Sequence, residues 1–313
     1  MLKPIVTATT LTLAAQTAFA EPFTFAALGD APYGDPPEVY GPYQRLIETI
    51  NARNPQLVIH IGDTKSGSTP CSDEILGQQR DFLNSFTAPT LYTPGDNEWT
   101  DCHRKAAGEF DPLERLAHIR STYFADPTKS FGQTSATVAS QAAAGYPENA
   151  RMELNGVMFI TVHVTGSNNN FEIRDKSAVD EFFARDAANL AWLKESFAAA
   201  PDAGAVVVAM QADMFEFDWN EFDDYTWLRH SGFQNIGTAL REEAAAFGKP
   251  VLLIYGDSHV YRSMRPFPDD APNVLALEVP GEERMHAVEV TVDTATSGVF
   301  STALIRNPAI TTN

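Results

Sequence analysis

Residues 57–63, Leu-Val-Ile-His-Ile-Gly-Asp, show the feature that decides the fold, a short apolar run that ends in a Gly-Asp pair. The same feature recurs at residues 23–30, 90–96 and 251–257. Runs this short and this apolar are typical of β-strands that are buried on both faces. Each run therefore predicts a strand, and each Gly-Asp pair marks the carboxyl end of that strand.

Outward from these runs, the sequence alternates between strand patterns and helix patterns. Residues 157–164 and 205–210 are further apolar runs. Apolar residues at helical spacing predict helices over 39–52, 73–86, 112–124, 177–200 and 236–247. Such alternation predicts a largely parallel sheet with helices outside it. The tail, residues 274–279, 286–292 and 298–305, predicts strands with no helix between them, an antiparallel extension that makes the second sheet mixed.

Two long loops separate these elements. Residues 126–148 are small and polar, and we expect a surface loop there. Residues 214–233 interleave aromatic and acidic side chains after a strand end, so this loop is expected to overhang a site. The sequence shows no linker and no internal repeat, and we expect residues 21–313 to form one domain.

The composition and net charge argue against some classes of binding partner. The net charge is −19 and the pI is about 4.6, with 44% apolar and 20% charged residues. Such an acidic surface repels nucleic acid and anionic lipid, and no run outside the leader is long enough to span a membrane. The acidity suits a site that collects cations, or it serves solubility alone.

The first 20 residues have the pattern of a secretory signal peptide. Lys3 precedes a short apolar stretch, and residues 18–20, Ala-Phe-Ala, form a cleavage site. We therefore expect a periplasmic or secreted protein that begins near Glu21. No cysteine stands at the cleavage point, which argues against a lipid anchor.

The chain has two cysteines, Cys71 and Cys102, and each follows a Gly-Asp loop. In an exported protein the default expectation is one disulfide, which would tie these two loops together. Two separate buried thiols are the alternative.

The four Gly-Asp pairs predict one site, because ligands of open α/β sheets bind at the carboxyl ends of the strands. The glycine allows a sharp turn, and the aspartate is left at the sheet edge. Converging carboxylates repel one another unless a cation lies between them, and hard divalent cations bind such oxygen clusters. His259 is either structural or a nitrogen ligand, and in this loop we expect ligation.

In their order along the chain these motifs resemble those of the calcineurin-like metallophosphoesterases, the superfamily that includes the purple acid phosphatases. The family signature is Asp, then Gly-Asp, then Gly-Asn-His-[Asp/Glu], then a lone His, then Gly-His-x-His. The matching positions are Asp30, Gly62-Asp63, residues 95–98, Gln211 and residues 256–259. The resemblance spans residues 23–292 and implies an α/β/β/α sandwich, two mixed β-sheets flanked by helices.

The resemblance also implies a metal-ligand set, which is Asp30, Asp63 and His259 for a first ion and Asp63, Asp96, Gln211 and Asp257 for a second. Oxygen ligands stand where the family has Asn and two His, which favours Mg²⁺, Mn²⁺ or Ca²⁺ at the second site. Iron or zinc suits the His259 site. Pro32 and Ser66 stand where the family often has other ligands or polar groups. Lys65, beside Asp63, is a competing source of positive charge or an exposed loop residue.

These residues indicate a phosphoesterase that hydrolyses a small phosphomonoester or phosphodiester by a two-metal-type mechanism. Asn97 stands where the family has its proton-donating His, and it can donate a hydrogen bond but no proton. His103 and His163 are therefore the candidate leaving-group acids. The alternative is a non-catalytic relative that binds a ligand. The sequence lacks the glycine-rich motif of a Rossmann-type nucleotide binder and the nucleophile motif of a serine hydrolase. It does not predict the oligomeric state.

Overall fold

The computed structural model describes residues 21–215 and 230–310. The predicted signal peptide, residues 1–20, and most of the aromatic-acidic loop lie outside the described residues. Within the described ranges, no helix is long and apolar enough to cross a membrane.

The elements follow the predicted alternation. The strands are β1 Phe23–Leu28, β2 Val58–His60, β3 Thr90–Tyr92, β4 Ala139–Gln141, β5 Tyr146–Leu154, β6 Val157–Thr161, β7 Ala205–Ala209, β8 Val251–Tyr255, β9 Arg262–Met264, β10 Val274–Glu278, β11 Ala287–Val292 and β12 Phe300–Ile305. The α-helices are α1 Pro36–Ala52, α2 Asp73–Leu83, α3 Pro112–Tyr123, α5 Lys176–Ala198 and α6 Gln234–Phe247, and the segment labelled α4, Gly166–Asn169, is a short left-handed turn.

Three of the helices begin at a polar side chain that accepts a hydrogen bond from the first turn. Ser72 caps α2, Asp111 caps α3 and Asp175 caps α5. A proline also stands in the first turn of α1 and of α3, where the missing N–H costs nothing. The sequence thus sets these helix starts locally.

Two mixed sheets form, in the strand orders β12-β11-β1-β2-β3 and β4-β5-β6-β7-β8-β10-β9. Parallel pairing joins β1 to β2 to β3, and β6 to β7 to β8 to β10. The predicted antiparallel tail is therefore only partly right. β11 and β12 pair antiparallel beside β1, but β10 pairs parallel with β8 in the other sheet. The turns and β9 between β8 and β10 supply the crossover that parallel pairing requires.

The layers can be read from alternate residues of one strand. In β1, Phe25 and Ala27 join the core between the two sheets, whereas Ala26 and Leu28 pack with the apolar face of α1. On the other side, α5 and α6 cover the second sheet through Leu193 and similar residues. The predicted α/β/β/α sandwich, with two mixed sheets flanked by helices, is confirmed.

The expectation of a surface loop over residues 126–148 is wrong in part. The segment contains β4 and enters β5, and Glu148 is fully buried. The polar sequence of β5 concealed the strand, because Glu148 and Asn149 point inward. Partners from α3, from His163 after the end of β6 and from α5 satisfy their hydrogen bonds there, so their burial is not penalised.

Candidate metal centre

Three carboxylates meet where the two sheets bring their strand ends together. Asp63 and Asp96 follow β2 and β3 of one sheet, and Asp257 follows β8 of the other. One oxygen from each lies within 4.8 Å of the other two. Asp63 and Asp96 are buried and Asp257 is partly buried. Below, the term acidic cluster means these three residues.

The loops reach this geometry through unusual backbone. Left-handed φ angles occur at three of the aspartates: Asp30 at 50°, Asp63 at 51° and Asp257 at 74°. The adjacent glycines serve mainly to admit a close neighbour. A Cβ on Gly95 would lie 2.0 Å from Asp63 Oδ1, and one on Gly256 would lie 2.1 Å from Asp30 Oδ2. The turn expected of the glycines is made at Gly62, whose φ is 98°, whereas Asp30 and Asp257 supply the left-handed residue in their own loops.

Neutral donors hold Asp63 in place. The Tyr33 hydroxyl donates to its Oδ2 at 2.6 Å, and the Asn97 side-chain amide donates to the same oxygen at 2.7 Å. The Asn97 backbone N–H donates to Oδ1 at 3.0 Å. Asn97 also donates to the Tyr33 oxygen at 2.6 Å, so its amide hydrogens are committed to positioning Asp63.

Asp96 and Asp257 are positioned from the opposite side. The Ser167 hydroxyl donates to Asp96 Oδ2 at 2.7 Å, and the Gln211 amide donates to Asp257 Oδ1 at 3.1 Å. Gln211 Oε1 itself accepts the Gly166 N–H at 2.5 Å. Gln211 therefore orients Asp257 instead of presenting its oxygen as the predicted ligand.

Asp30 lies directly behind the acidic cluster. Its Oδ2 accepts the backbone N–H of Asp257 at 3.1 Å, and the residue is fully buried. Within the described part of the chain, its Oδ1 is buried without a hydrogen-bond partner. Such an oxygen is available to a water molecule or an ion bound at the cluster.

Glu98 and the disulfide hold the β2 and β3 loops together. The Glu98 carboxylate accepts the backbone N–H groups of Asp63, Thr64 and Gly95 at 3.2, 2.5 and 3.0 Å. The predicted Cys71–Cys102 disulfide is present and joins the same two loops. Two cross-links, one polar and one covalent, thus keep Asp63 beside Asp96.

The electrostatics of the site are those of uncompensated negative charge. Burial raises the pKa of Asp63 well above its usual range, and the charges of Asp96 and Glu98 add to the effect. Burial likewise raises the pKa of Asp30, although the Asp257 N–H acts in the opposite direction. A cation at this position would restore the ionised form of both groups.

Lys65 is buried, not an exposed loop residue. Its ammonium donates to the Ser66 carbonyl at 3.2 Å. Burial lowers its pKa, while the charges of Glu98, Asp63 and nearby aspartates favour the charged form. Lys65 therefore contributes to the field of the site without an ion pair to a carboxylate among the described residues.

The three candidate histidines are placed differently from one another. His259 lies outside the acidic cluster, where its Nδ1 contacts Glu282 Oε2 at 3.2 Å and its ring meets Tyr33 edge-on. His163 is fully buried, and burial lowers its pKa to about 4. His103 is exposed, with its Nδ1 2.6 Å from the Thr100 carbonyl. Of the two histidines predicted as leaving-group acids, His103 is exposed and His163 is not.

The donor set of the acidic cluster fits a divalent metal ion. It supplies three carboxylate oxygens at short mutual distance, two of them from buried residues, with a buried unpartnered oxygen on Asp30 beside them. Oxygen ligands of this kind suit Mg²⁺, Mn²⁺ or Ca²⁺. The cluster contains no nitrogen ligand, so it gives no preference for zinc or iron.

No protein-family profile and no curated protein sequence matches the chain. Among solved structures it is similar to the purple acid phosphatase PPD1 from yellow lupin (Lupinus luteus) seeds, with a TM-score of 0.50 and 12% identity. That match covers 92% of this chain and 54% of the lupin chain, so the chain spans about half the length of that protein. The likeness shows the fold.

Two weaker similarities were also found. TT1561 of Thermus thermophilus matches with a TM-score of 0.45 and 10% identity, over 91% of this chain and 100% of that one. A carbon-nitrogen hydrolase from Helicobacter pylori matches with a TM-score of 0.32 and 9% identity, over 92% and 89%.

Sequence reasoning missed Tyr33 and Ser167. Both act through loops that fold back on the site, which no local pattern reports. For Ser167 a signal was present, since residues 166–170 read Gly-Ser-Asn-Asn-Asn. Asparagine tolerates left-handed backbone, and Ser167 through Asn170 all have φ between 51° and 60°. This left-handed turn directs the Ser167 hydroxyl at Asp96.

Proposed function

We propose that the chain is a metal-dependent phosphoesterase that hydrolyses a small phosphomonoester or phosphodiester. One observation carries the proposal: the oxygens of Asp63, Asp96 and Asp257 lie within 4.8 Å of one another at the strand ends. The fold supports this proposal, because the chain shares its fold with the lupin structure, and that protein is a purple acid phosphatase.

When bound, a divalent cation stabilises charge on the phosphoryl oxygens and makes water more acidic. The chain's own residues position that chemistry. Tyr33 and Asn97 fix the Asp63 carboxylate, Ser167 fixes Asp96, and Gln211 fixes Asp257. Their hydrogen bonds reduce the reorganisation that would otherwise accompany ligand binding.

We propose His103 as the group that protonates the leaving oxygen. Its ring is exposed, and its Nδ1 is anchored on the Thr100 carbonyl, which leaves Nε2 as the atom that can deliver a proton. The burial of His163 and the committed amide of Asn97 exclude both from this role.

We propose one ion at the acidic cluster. The second ion of a two-metal arrangement would need His259, which lies against Glu282 and Tyr33 instead. Lys65 supplies positive charge near Asp63 in its absence. Mg²⁺ or Mn²⁺ fits the oxygen ligands best.

The test is hydrolysis of p-nitrophenyl phosphate and bis-p-nitrophenyl phosphate by chelator-treated protein, with Mg²⁺, Mn²⁺, Ca²⁺, Zn²⁺ and Fe²⁺ added singly. Turnover should appear with Mn²⁺ or Mg²⁺. Asp63→Asn should lower kcat/KM by about 10³-fold, because several kcal/mol of transition-state stabilisation are lost. The exposed Asp81→Asn is the matched control and should retain full activity.

A ligand-binding protein without catalysis is the second candidate. The site lacks the family's proton-donating His at Asn97, and this substitution favours it. Metal binding without turnover of either ester under any metal would establish this candidate and reject the hydrolase.

We also propose that the protein is exported and cleaved after Ala20. The disulfide supports this, because such bonds persist in oxidising compartments. The mature protein should be recovered from periplasm or medium with Glu21 as its first residue. A cytosolic protein that keeps residues 1–20 would contradict the proposal.

A further inference from the structure

A cavity of about 600 Å³ opens beside the acidic cluster. Its walls come from the segment after β3, the start of α3, the left-handed turn α4 and the start of α5. The polar residues used below are Asp101, His103, Arg104, Ser167 and Ser177. The volume lies in the range of sites that hold a small organic ligand, roughly 300–1,000 Å³.

The side chain of Ser167 links the wall of this cavity to the acidic cluster. The Ser167 hydroxyl contacts Asp96 Oδ2 at 2.7 Å and Asp101 Oδ1 at 3.2 Å. Asp96 belongs to the cluster, and Asp101 lines the cavity. Through Ser167, the cavity wall is thus in hydrogen-bond contact with Asp96 of the cluster.

Arg104 carries positive charge at the junction. Its Nη2 pairs with Asp101 Oδ2 at 2.6 Å, and about half of its side chain is exposed. A Cβ on Gly67 would lie 2.6 Å from Arg104 Nη1 and 2.7 Å from Asn97 Oδ1. The guanidinium thus lies close to Asn97, which itself holds Asp63.

An anionic substrate needs such a cation. The chain has a net charge of −19, and the cluster alone presents three carboxylates. A phosphate ester that approaches one bound divalent ion still meets negative charge from the protein. A half-exposed guanidinium offers two parallel N–H donors that match phosphoryl oxygens, and the pair with Asp101 fixes its plane.

We propose that Arg104 binds a non-bridging oxygen of the substrate's phosphoryl group and that the cavity holds the organic part of the ester. The substrate class is then a phosphate ester with a ring-sized organic group, in preference to methyl phosphate or pyrophosphate. The proposal rests on the proposed function, since it assigns the substrate of the same site. His103 lies on the same cavity wall, where the leaving oxygen would be.

The first test is calorimetric titration of orthophosphate into Arg104→Gln, Arg104→Lys and wild-type protein, with and without Mn²⁺. The Gln variant should bind orthophosphate about tenfold more weakly, because a charge-assisted hydrogen bond is lost. The Lys variant keeps the charge and should recover part of the affinity. Arg80→Gln, a surface arginine paired with Asp81, is the control.

The outcome separates the inference from the proposed function. Mn²⁺ should bind all variants with the same stoichiometry. If the wild type binds Mn²⁺ and hydrolyses esters but Arg104→Gln binds orthophosphate unchanged, the inference fails and the proposed function stands. If no Mn²⁺ binds and no ester is hydrolysed, the proposed function fails. The role of Arg104 is then judged from the metal-free titration. If Arg104→Gln binds orthophosphate as tightly as the wild type, or if neither protein binds it, the inference about Arg104 fails.

The second test concerns the cavity. Ser177 is exposed and lines it, so Ser177→Trp fills space without disturbing the core. The KM for 1-naphthyl phosphate should rise about tenfold, because a ring contact is lost to steric exclusion, while orthophosphate affinity stays the same. An unchanged KM would show that the organic group lies elsewhere.

Discussion

Asp63 and Asp96 of the acidic cluster are buried like Glu148, but the partners of these carboxylates differ. Arg120 donates two hydrogen bonds to Glu148 Oε1, from Nε at 3.0 Å and from Nη2 at 2.5 Å. His163 Nδ1 lies 2.9 Å from the same oxygen. Asp63 has only neutral donors, from Tyr33 and Asn97. Among the described residues, no Lys or Arg forms an ion pair with Asp30, Asp63 or Asp96.

The pKa values move in opposite directions as a result. Burial opposes the ionisation of Glu148, but the His163 hydrogen bond and the charge of Arg120 outweigh it and lower the pKa. Burial raises the pKa of Asp63, and neighbouring carboxylates raise it further. A paired buried charge stabilises the fold, whereas Asp63 and Asp96 repel each other, and a bound cation would relieve that repulsion.

The largest expected effect is on the free energy of unfolding, when the ion pair between Arg120 and Glu148 is broken. Arg120→Met removes the cation and leaves Glu148 buried with His163 alone. The free energy of unfolding should fall by about 3 kcal/mol, because an uncompensated buried charge is costly. Urea denaturation at neutral pH measures this change.

The matched control is Arg53→Met, which breaks the more exposed pair with Glu289. Its effect should stay below about 1 kcal/mol. Equal losses in the two variants would show that Glu148 is no more dependent on its partner than a surface carboxylate.

A smaller effect is expected in the pH dependence of stability without metal. Burial, and then the charge of Asp96, raise the pKa of Asp101 to about 7. A carboxyl group with a raised pKa binds its proton more tightly in the folded state, so stability falls as the pH rises through that pKa. Chemical denaturation should show a loss of about 1 kcal/mol between about pH 6.5 and pH 8.

Saturating Mg²⁺ is the comparison that assigns this loss to the site. Glu278, whose pKa burial raises to about 7, titrates in the same sense, and the lowered pKa of Lys65 acts in the opposite sense. Neither residue belongs to the acidic cluster, although the charges of Asp63 and Asp96 act on Lys65. His163 and His60, whose pKa values burial lowers to about 4 and about 3, are neutral in the folded state across this window, but they still bind part of a proton in the unfolded state near pH 6.5, so they oppose the loss. A slope that Mg²⁺ leaves unchanged would contradict an uncompensated cluster.

The sequence predicted most of the sandwich, because apolar runs such as that of β8 are local signals of buried strands. It also predicted that Asp63, Asp96 and Asp257 would meet, but not that Asp257 would come from the other sheet or that Asp30 would lie behind the cluster. β5 escaped prediction because its inward polar residues are compensated by distant partners. The pairing of β10 escaped because the register between strands depends on contacts far apart in sequence.

The orientation of site residues could not be predicted from motif positions. Gln211 stands at a ligand position, but the Gly166 N–H takes its oxygen. His259 stands close to Asp257 in the sequence, but its side chain contacts Glu282 and lies outside the cluster. Its backbone is left-handed, with φ 60°. Arg104 carries no motif, and its place beside the cavity follows from how the β3 loop folds over Gly67.

Titration calorimetry of Mn²⁺ into chelator-treated protein tests the central claim most directly. The acidic cluster predicts one equivalent of Mn²⁺ bound by wild-type protein, and saturable binding that disappears in Asp96→Asn and Asp257→Asn but persists in Asp81→Asn. Absence of Mn²⁺ binding, or binding that survives both cluster substitutions, would contradict a metal centre at these three carboxylates.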